Sequence, residues 1–487
     1  MMRAVSGADG GMRIGPVFWL EQALAVDPGV ACPPLAGTVR ADVCIVGGGY
    51  VGLWTALELA RDAPDLRIVV LEAEGCGFGA SGRNGGWATS WFDELDSLTE
   101  HFGPDQAAFL AHESTRAIDR IEELCGEEGI DCHLRRAGAL WSATSAAQEA
   151  AFPGPLAAAR ALGGEAADAL VPLDGPELRR RVGSPLLRRG VHMTDAAAVQ
   201  PALLARGMRA AALRRGIRIY EGTPVLRLER TAPAGLVTRA GRVEADRVVI
   251  ATGAWAAQVR ELRRAIVPVG SQIVLTEPIP ERIASLGWTG GELLGDARLL
   301  VHYAQVTRDG RIAFGRGGGA IGPGGRIRRA HWVDPATVGI VEADFRRWFP
   351  ALADVRFTHA WGGAVDRAPG HLPFVGALGD HENIHYGTGF SGNGVAPSAL
   401  IGRILARRAL GVVDPLTTSA LVSGPPGYLP PEPLRALGGL TIQRAVARAE
   451  AAEERGADPS RLDRALRGLL WFTMPRALEP RHWPRSR

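Results

Sequence analysis

The sequence predicts an α/β fold in which one parallel-sheet domain is assembled from separated segments and a second, α+β domain is built on a mixed sheet. Three observations predict it. Residues 41–86 read as strand, glycine turn, helix and strand. The same strand-to-glycine-turn pattern returns near residues 253 and 390. Residues 266–314 alternate apolar and polar side chains in the manner of a half-exposed antiparallel sheet.

The first unit carries chemistry. A short β-branched run at 43–46 stops abruptly at glycines, as a buried parallel strand does. Gly47, Gly49 and Gly52 form G-x-G-x-x-G, and Leu53, Ala56, Leu57 and Ala60 then share one helix face. A second strand, 67–71, ends at Glu72, twenty residues after Gly52. The first glycine permits a tight turn, the second lets backbone approach a pyrophosphate, and the third lets helix and sheet pack closely. Unpaired N–H groups at the helix start favour phosphate, and the acid accepts bonds from ribose hydroxyls. In a chain with 63 glycines the motif alone is weak. Its order of strand, helix, strand and acid makes it a Rossmann-like site for an adenine dinucleotide, against the alternative of a fold that has lost its ligand.

At 487 residues the chain exceeds the size of a single core, so two domains are expected. A charged fraction of 22% and a net charge of +3 give no nucleic-acid signal. All 55 basic residues are arginine, the ordinary result of a GC-rich coding sequence. The cysteines (Cys32, Cys44, Cys76, Cys125, Cys132) show neither a C-x-x-C pair nor metal spacing, so no metal is expected and a reducing cytoplasm fits. No signal-peptide pattern opens the chain, and no apolar run approaches the ~18 residues of a transmembrane helix.

Along the chain, 1–39 reads as an N-terminal arm whose Phe18, Trp19 and Leu20 dock on the body or line an access wall. Helices fill 93–130, a strand lies at 137–141, and helix follows at 201–215 after a first-turn proline. Strands are expected at 218–221, 225–230, 235–238, 241–245 and 248–255, then at 272–276, 299–303 and 311–314 around a turn at 308–310. Helix 334–349, strand 357–365 and a strand–turn–helix from 384 to about 410 follow. The dinucleotide domain is expected from 40–92, 190–265 and 355–412, the substrate domain from 93–189 and 266–354, and a helical extension from 413–487.

The segments 42–86 (with the 80–86 sequence Ala-Ser-Gly-Arg-Asn-Gly-Gly), 251–255, 302–315, 361–363 and 389–395 together resemble the D-amino-acid-oxidase superfamily of FAD-dependent oxidoreductases, closest to its γ-glutamylputrescine-oxidoreductase-like branch. The resemblance covers roughly residues 17–412 and is specific for the superfamily, not for a substrate. It implies the two-domain arrangement of D-amino-acid oxidase. Gly47, Gly49 and Gly52 then hold the FAD pyrophosphate and Glu72 the ribose, while Ser81, Gly82, Arg83, Asn84 and Gly85 run beside the isoalloxazine ring. Thr252, Gly253, Gly392, Gly394 and Val395 complete the cofactor site. The helix after Gly392 points at the pyrimidine end, where reduction places negative charge.

The implied reaction is oxidation of a C–N bond in a small amine or amino-acid derivative. Hydride passes to flavin N5, and the imine hydrolyses. Tyr303, Trp361 and Asn393 stand at the matching catalytic positions, with Trp87 and Trp91 nearby; core packing is the alternative for each tryptophan and for Tyr303. His302 is expected to be a satisfied structural histidine rather than a substrate contact, and Asp366 and Arg367 loop or pair residues. Three departures matter. Ala313 stands where sarcosine oxidases place an oxygen-activating lysine, leaving Arg316 as the nearby cation. Ala396 replaces a lysine that binds substrate carboxylate, and Asn393 a common histidine. No cysteine follows Cys132 to attach FAD, so non-covalent FAD is expected. The partners implied are an amine substrate and oxygen or another electron acceptor. The competing readings are a quinone- or protein-linked amine dehydrogenase and a flavin-carrying subunit that does not turn over. The apolar cluster at 469–472 packs on its own domain or touches a membrane or partner.

Overall fold

The computed structural model describes residues 12–471. Residues 1–11 of the arm and 472–487 of the extension, with Phe472 of the late apolar cluster, lie outside the described residues. Among the described residues the strands form a nine-stranded, an eight-stranded and a two-stranded sheet.

Strand Gly37–Val46 lies parallel between Ile68–Leu71 and Gly241–Ile250. Arg218–Tyr220 and His381–Thr388 extend this parallel core on its two sides. Cys44, Ile45, Val69 and Val70 have no exposed surface, as strands covered on both faces require. The register brings Tyr220, Leu71, Val46, Ile250 and Tyr386 to one edge. Sheets of this kind bind ligands in the crevice beyond such a carboxyl edge.

The two strands expected at 241–245 and 248–255 are one strand, Gly241–Ile250. The exposed Asp246–Arg247 pair, which breaks the apolar pattern, marks a change of neighbour rather than a chain break. Before it the strand pairs antiparallel with Ala234–Val237, and after it parallel with His381–Thr388.

The nine-stranded sheet runs in the order Arg13–Ile14, Phe357–Arg367, Val267–Thr276, Ile312–Arg316, His302–Val306, Leu293–Asp296, Ala139–Ala143, Arg189–Met193, Leu170–Asp174. Two of these strands were expected in the dinucleotide domain. Phe357–Arg367 instead pairs along its length with Val267–Thr276, and Arg189–Met193 with Ala139–Ala143. A buried apolar run names no partner by itself, so the sequence leaves open which sheet each strand joins. The strand expected at 299–303 begins at His302, because the N–H groups of Leu299 and Leu300 leave the ladder and donate to Glu450 (2.9 and 3.2 Å).

The arm docks on the body: helix Phe18–Val26 buries Trp19, and Leu20 reaches the central cavity. Helix Pro335–Trp348 packs its aromatic face on Phe314 of the large sheet. The extension folds as helices Leu434–Glu454 and Arg461–Gly468. Among the described residues no helix is long and apolar enough to cross a membrane.

Candidate active site

A cavity of about 2590 Å³ runs along the carboxyl edge of the parallel sheet and over the face of the nine-stranded one. Its first part is made of backbone. Gly47 has φ +111° and donates its N–H to Leu71 O (2.8 Å), and a side chain there would strike the carbonyl of Ala251. A Cβ on Gly52 would overlap the carbonyl oxygen of Gly47, so helix and turn approach as only glycine allows. Gly49 caps helix Tyr50–Asp62 without a side-chain bond, leaving first-turn N–H groups and a positive helix end toward the cavity. One of those groups, Tyr50 N–H, donates to Ser81 Oγ (2.9 Å), which pins the 80–86 loop onto the helix start.

Glu72 accepts the N–H of Gly48 (2.7 Å) and of Glu74 (2.9 Å) on its two oxygens. Burial raises its pKa above the ordinary carboxyl value against those two bonds. Thr252 lines the cavity with a buried hydroxyl that has no hydrogen-bond partner among the described residues, beside Gly253 at φ +51°. A cradle that any Cβ would fill, an acid at the strand end and an orphaned hydroxyl fit a dinucleotide.

The 80–86 loop continues the lining. Arg83 is buried, with Nε on Phe78 O (2.7 Å) and a second nitrogen on Gly362 O (3.3 Å). Its guanidinium lies over the rings of Phe78 (4.6 Å) and Trp332 (4.5 Å) and has no carboxylate partner among the described residues. Burial pulls its pKa down to about 10. Asn84 braces the loop, donating to Ala80 O and Ser81 O and accepting from Gly86 N–H (2.7 Å). Gly82 packs against the Gly77 carbonyl and Leu20, and Gly85 against Tyr303.

On the opposite side Gly392 (φ +108°) and Gly394 lead into helix Val395–Ala409, whose start again lacks a side-chain cap. Buried Asp366 fixes this turn by accepting from Gly389 N–H (2.7 Å) and Thr388 Oγ1 (3.0 Å). Asn393 Oδ1 accepts from Thr89 Oγ1 (3.3 Å). Arg367 faces His371 Nε2 (2.9 Å), and burial pulls it to about 10.

Tyr303 is lodged between Gly85 and Gly315, each too close to carry a Cβ. Its hydroxyl bonds Ser271 Oγ (2.7 Å), whose own hydroxyl reaches Arg316 O (3.0 Å), and burial pushes the phenol up to about 12. Trp87 lines the same space with a buried indole N–H that has no partner among the described residues, and its ring lies against Gly295. Trp361 does not join them. It is fully buried, donates Nε1 to Arg83 O (2.9 Å) and meets Trp19 edge-on at 5.6 Å. The strand turns this ring to the core, so it positions the Arg83 loop and forms no part of the cavity wall. Trp91 is buried core as well.

His302 is held by Asp296 on Nδ1 (2.7 Å) and Asp344 on Nε2 (2.9 Å), with no exposed surface. Arg316 is ion-paired with the same Asp344 (3.4 Å) and is absent from the cavity lining, as are Ala313 and Ala396. Sequence reasoning missed Trp332, which no motif marks, and an acidic side of the cavity formed by Asp93, Glu94, Asp96 and Glu100. Burial pushes Glu94 up to about 7.

Comparison with known proteins agrees with this geometry. A family model described as "DAO: FAD dependent oxidoreductase" matches residues 42–408. The chain is 32% identical over 373 residues to the gamma-glutamylputrescine oxidoreductase of Escherichia coli (strain K12), covering 76% of this chain and 83% of that protein. It is 30% identical over 406 residues to the "Probable oxidoreductase OrdL" of Rhizobium meliloti (strain 1021), covering 81% and 88%. Among solved structures, glycine oxidase from Geobacillus kaustophilus superposes with a TM-score of 0.65 at 22% identity, covering 79% of this chain and 99% of that one.

Proposed function

The chain belongs to the FAD dependent oxidoreductase (DAO) family, and on that premise we propose that it oxidises a C–N bond of a small amine or amino-acid derivative. The observation that carries this reading is the continuity of the cavity, which joins the glycine cradle to the Tyr303–Trp87 pocket without a filled stretch between. A filled pocket would support a flavin-carrying subunit that does not turn over. The relatives named gamma-glutamylputrescine oxidoreductase and glycine oxidase support an amine or amino-acid donor.

Gly47, Gly49 and the start of helix Tyr50–Asp62 would hold the FAD pyrophosphate, and Glu72 its ribose. The 81–85 loop, Thr252, Gly392 and Val395 would flank the ring. Bound there, FAD supplies a two-electron acceptor for the oxidation. None of the five cysteines lines the cavity, which supports non-covalent attachment. The chain's own part is to bind, dry and orient the amine. Tyr303 and Trp87 shield the amine from water, and this desolvation disfavours the ammonium form, so the nitrogen keeps its lone pair. Tyr303 retains its proton at neutral pH and orients the substrate; it is no base. A cytoplasmic location is supported by the cysteine spacing, which shows no disulfide framework.

The test is anaerobic mixing of the yellow holoprotein with amines, N-methyl amino acids and D-amino acids. At least one class should bleach the flavin absorbance, and silence with all three sinks the reading. Peroxide on readmitting air identifies oxygen as acceptor; bleached enzyme that recovers only with a quinone or protein acceptor identifies a dehydrogenase.

A further inference from the structure

The cofactor cradle is complete within the family match at 42–408, but one side of the cavity is lined by residues beyond it. Helix Leu434–Glu454 presents Gly438, Ile442 and Val446 to the cavity, four residues apart on one face, with Gln443 beside them. Facing them are Leu300 and Val301, just before Tyr303 in the chain, and Ile321 from the glycine loop that follows Arg316. A Cβ on Gly439 would lie 3.1 Å from Ile321, so helix and loop pack closely.

The helix is fastened at both ends. Glu432 accepts Gly324 N–H (2.8 Å) and pairs with Arg435 (2.7 Å). Glu450 takes the Leu299 and Leu300 amides, and Glu454 pairs with Arg347 and Arg298. The lining side chains Arg298, Arg435 and Gln443 each have a polar partner. The Gln443 amide donates to Gly318 O and to Gly319 O (2.8 Å), and Arg298 also meets Asp296 (3.1 Å). The surface left toward the cavity is aliphatic.

We propose that this C-terminal wall sets substrate length and selects an amine whose tail is uncharged and apolar, an inference that rests on the amine-oxidation reading. The acidic side, Asp93 to Glu100, is where a cationic tail would go instead.

The test titrates the visible flavin spectrum of the holoprotein, without turnover, with n-alkylamines from propyl to octyl and with α,ω-diamines of matching length. Affinity should tighten about fourfold per methylene, and each diamine should bind more weakly than its monoamine. Gly438→Phe is the decisive variant. An added Cβ there meets no atom within 4 Å, so the ring enters open space, and replacing a helix-interior glycine favours the helix. It should weaken octylamine about tenfold or more, with propylamine and flavin content unchanged. Octylamine binding that ignores Gly438→Phe, or diamines that bind at least as tightly as monoamines, would overturn the proposal. Acrylamide quenching of flavin fluorescence needs no amine: Ile442→Ala should raise it. Raised quenching with no spectral response to any amine would defeat the amine reading and leave the wall standing. Unchanged quenching would defeat the wall.

Discussion

At the carboxyl edge of the parallel sheet the cavity is made of main chain, whereas around Tyr303 and the C-terminal helix it is made of side chains. The first region uses N–H groups and close approaches along the stretch from Gly47 to Gly86, with no slack for an added methyl at Gly47, Gly52, Gly82 or Gly86. The second gathers Trp87, Trp255, Tyr303, Trp332 and Ile442 from distant parts of the chain. A backbone cradle fails as a whole when one atom is added. A side-chain wall changes what fits while the cofactor stays bound.

The largest effect should come from Gly52→Ala, whose Cβ has no room against the Gly47 carbonyl. It should cost about 3 kcal/mol or more and give colourless protein, read by the 450 nm region of the spectrum and by the urea midpoint. A yellow Gly52→Ala protein of unchanged midpoint would break the contrast.

A paired comparison sharpens it. Tyr303→Phe removes the bond to Ser271 on the cavity side, and kcat/KM should fall about tenfold, roughly 1.4 kcal/mol, at nearly constant stability. Trp361→Phe removes the bond to Arg83 O on the core side and should lower stability by about 1 kcal/mol with flavin retained. The reverse pattern would return Trp361 to the site.

The smallest effect is a pH dependence. Burial disfavours the charged ring of His302, but Asp296 and Asp344 outweigh it and raise the pKa above the ordinary 6.5. A raised folded value gives stabilisation that is complete below the unfolded pKa and lost as pH rises through the folded one. The urea midpoint should therefore decline as pH rises past 6.5, and His302→Gln should flatten the decline. Parallel profiles would show that the pKa of the ring does not differ between the folded and unfolded states.

By itself the sequence determined the cradle: glycine turns at 47–52 and 392–394, the acid at Glu72, the bracing loop at 81–85 and the cofactor they imply. Those features are local, because a tight turn, a helix start and a strand end are set by residues close together in the chain. The histidine at 302 was also legible as structural, but its two carboxylates were not. Tertiary structure alone decided the rest. Trp361 and Tyr303 both lie on strands, where successive side chains face opposite ways and register chooses which face meets the cavity. Trp332 reaches that cavity from the short helix Arg329–Trp332, set against Trp255 and Arg83, and Ile442 from a helix docked through contacts distant in sequence, such as Gln443 on Gly318 and Glu450 on Leu299. Periodicity marks a buried face without naming what buries it, so the substrate wall became visible only in the folded chain.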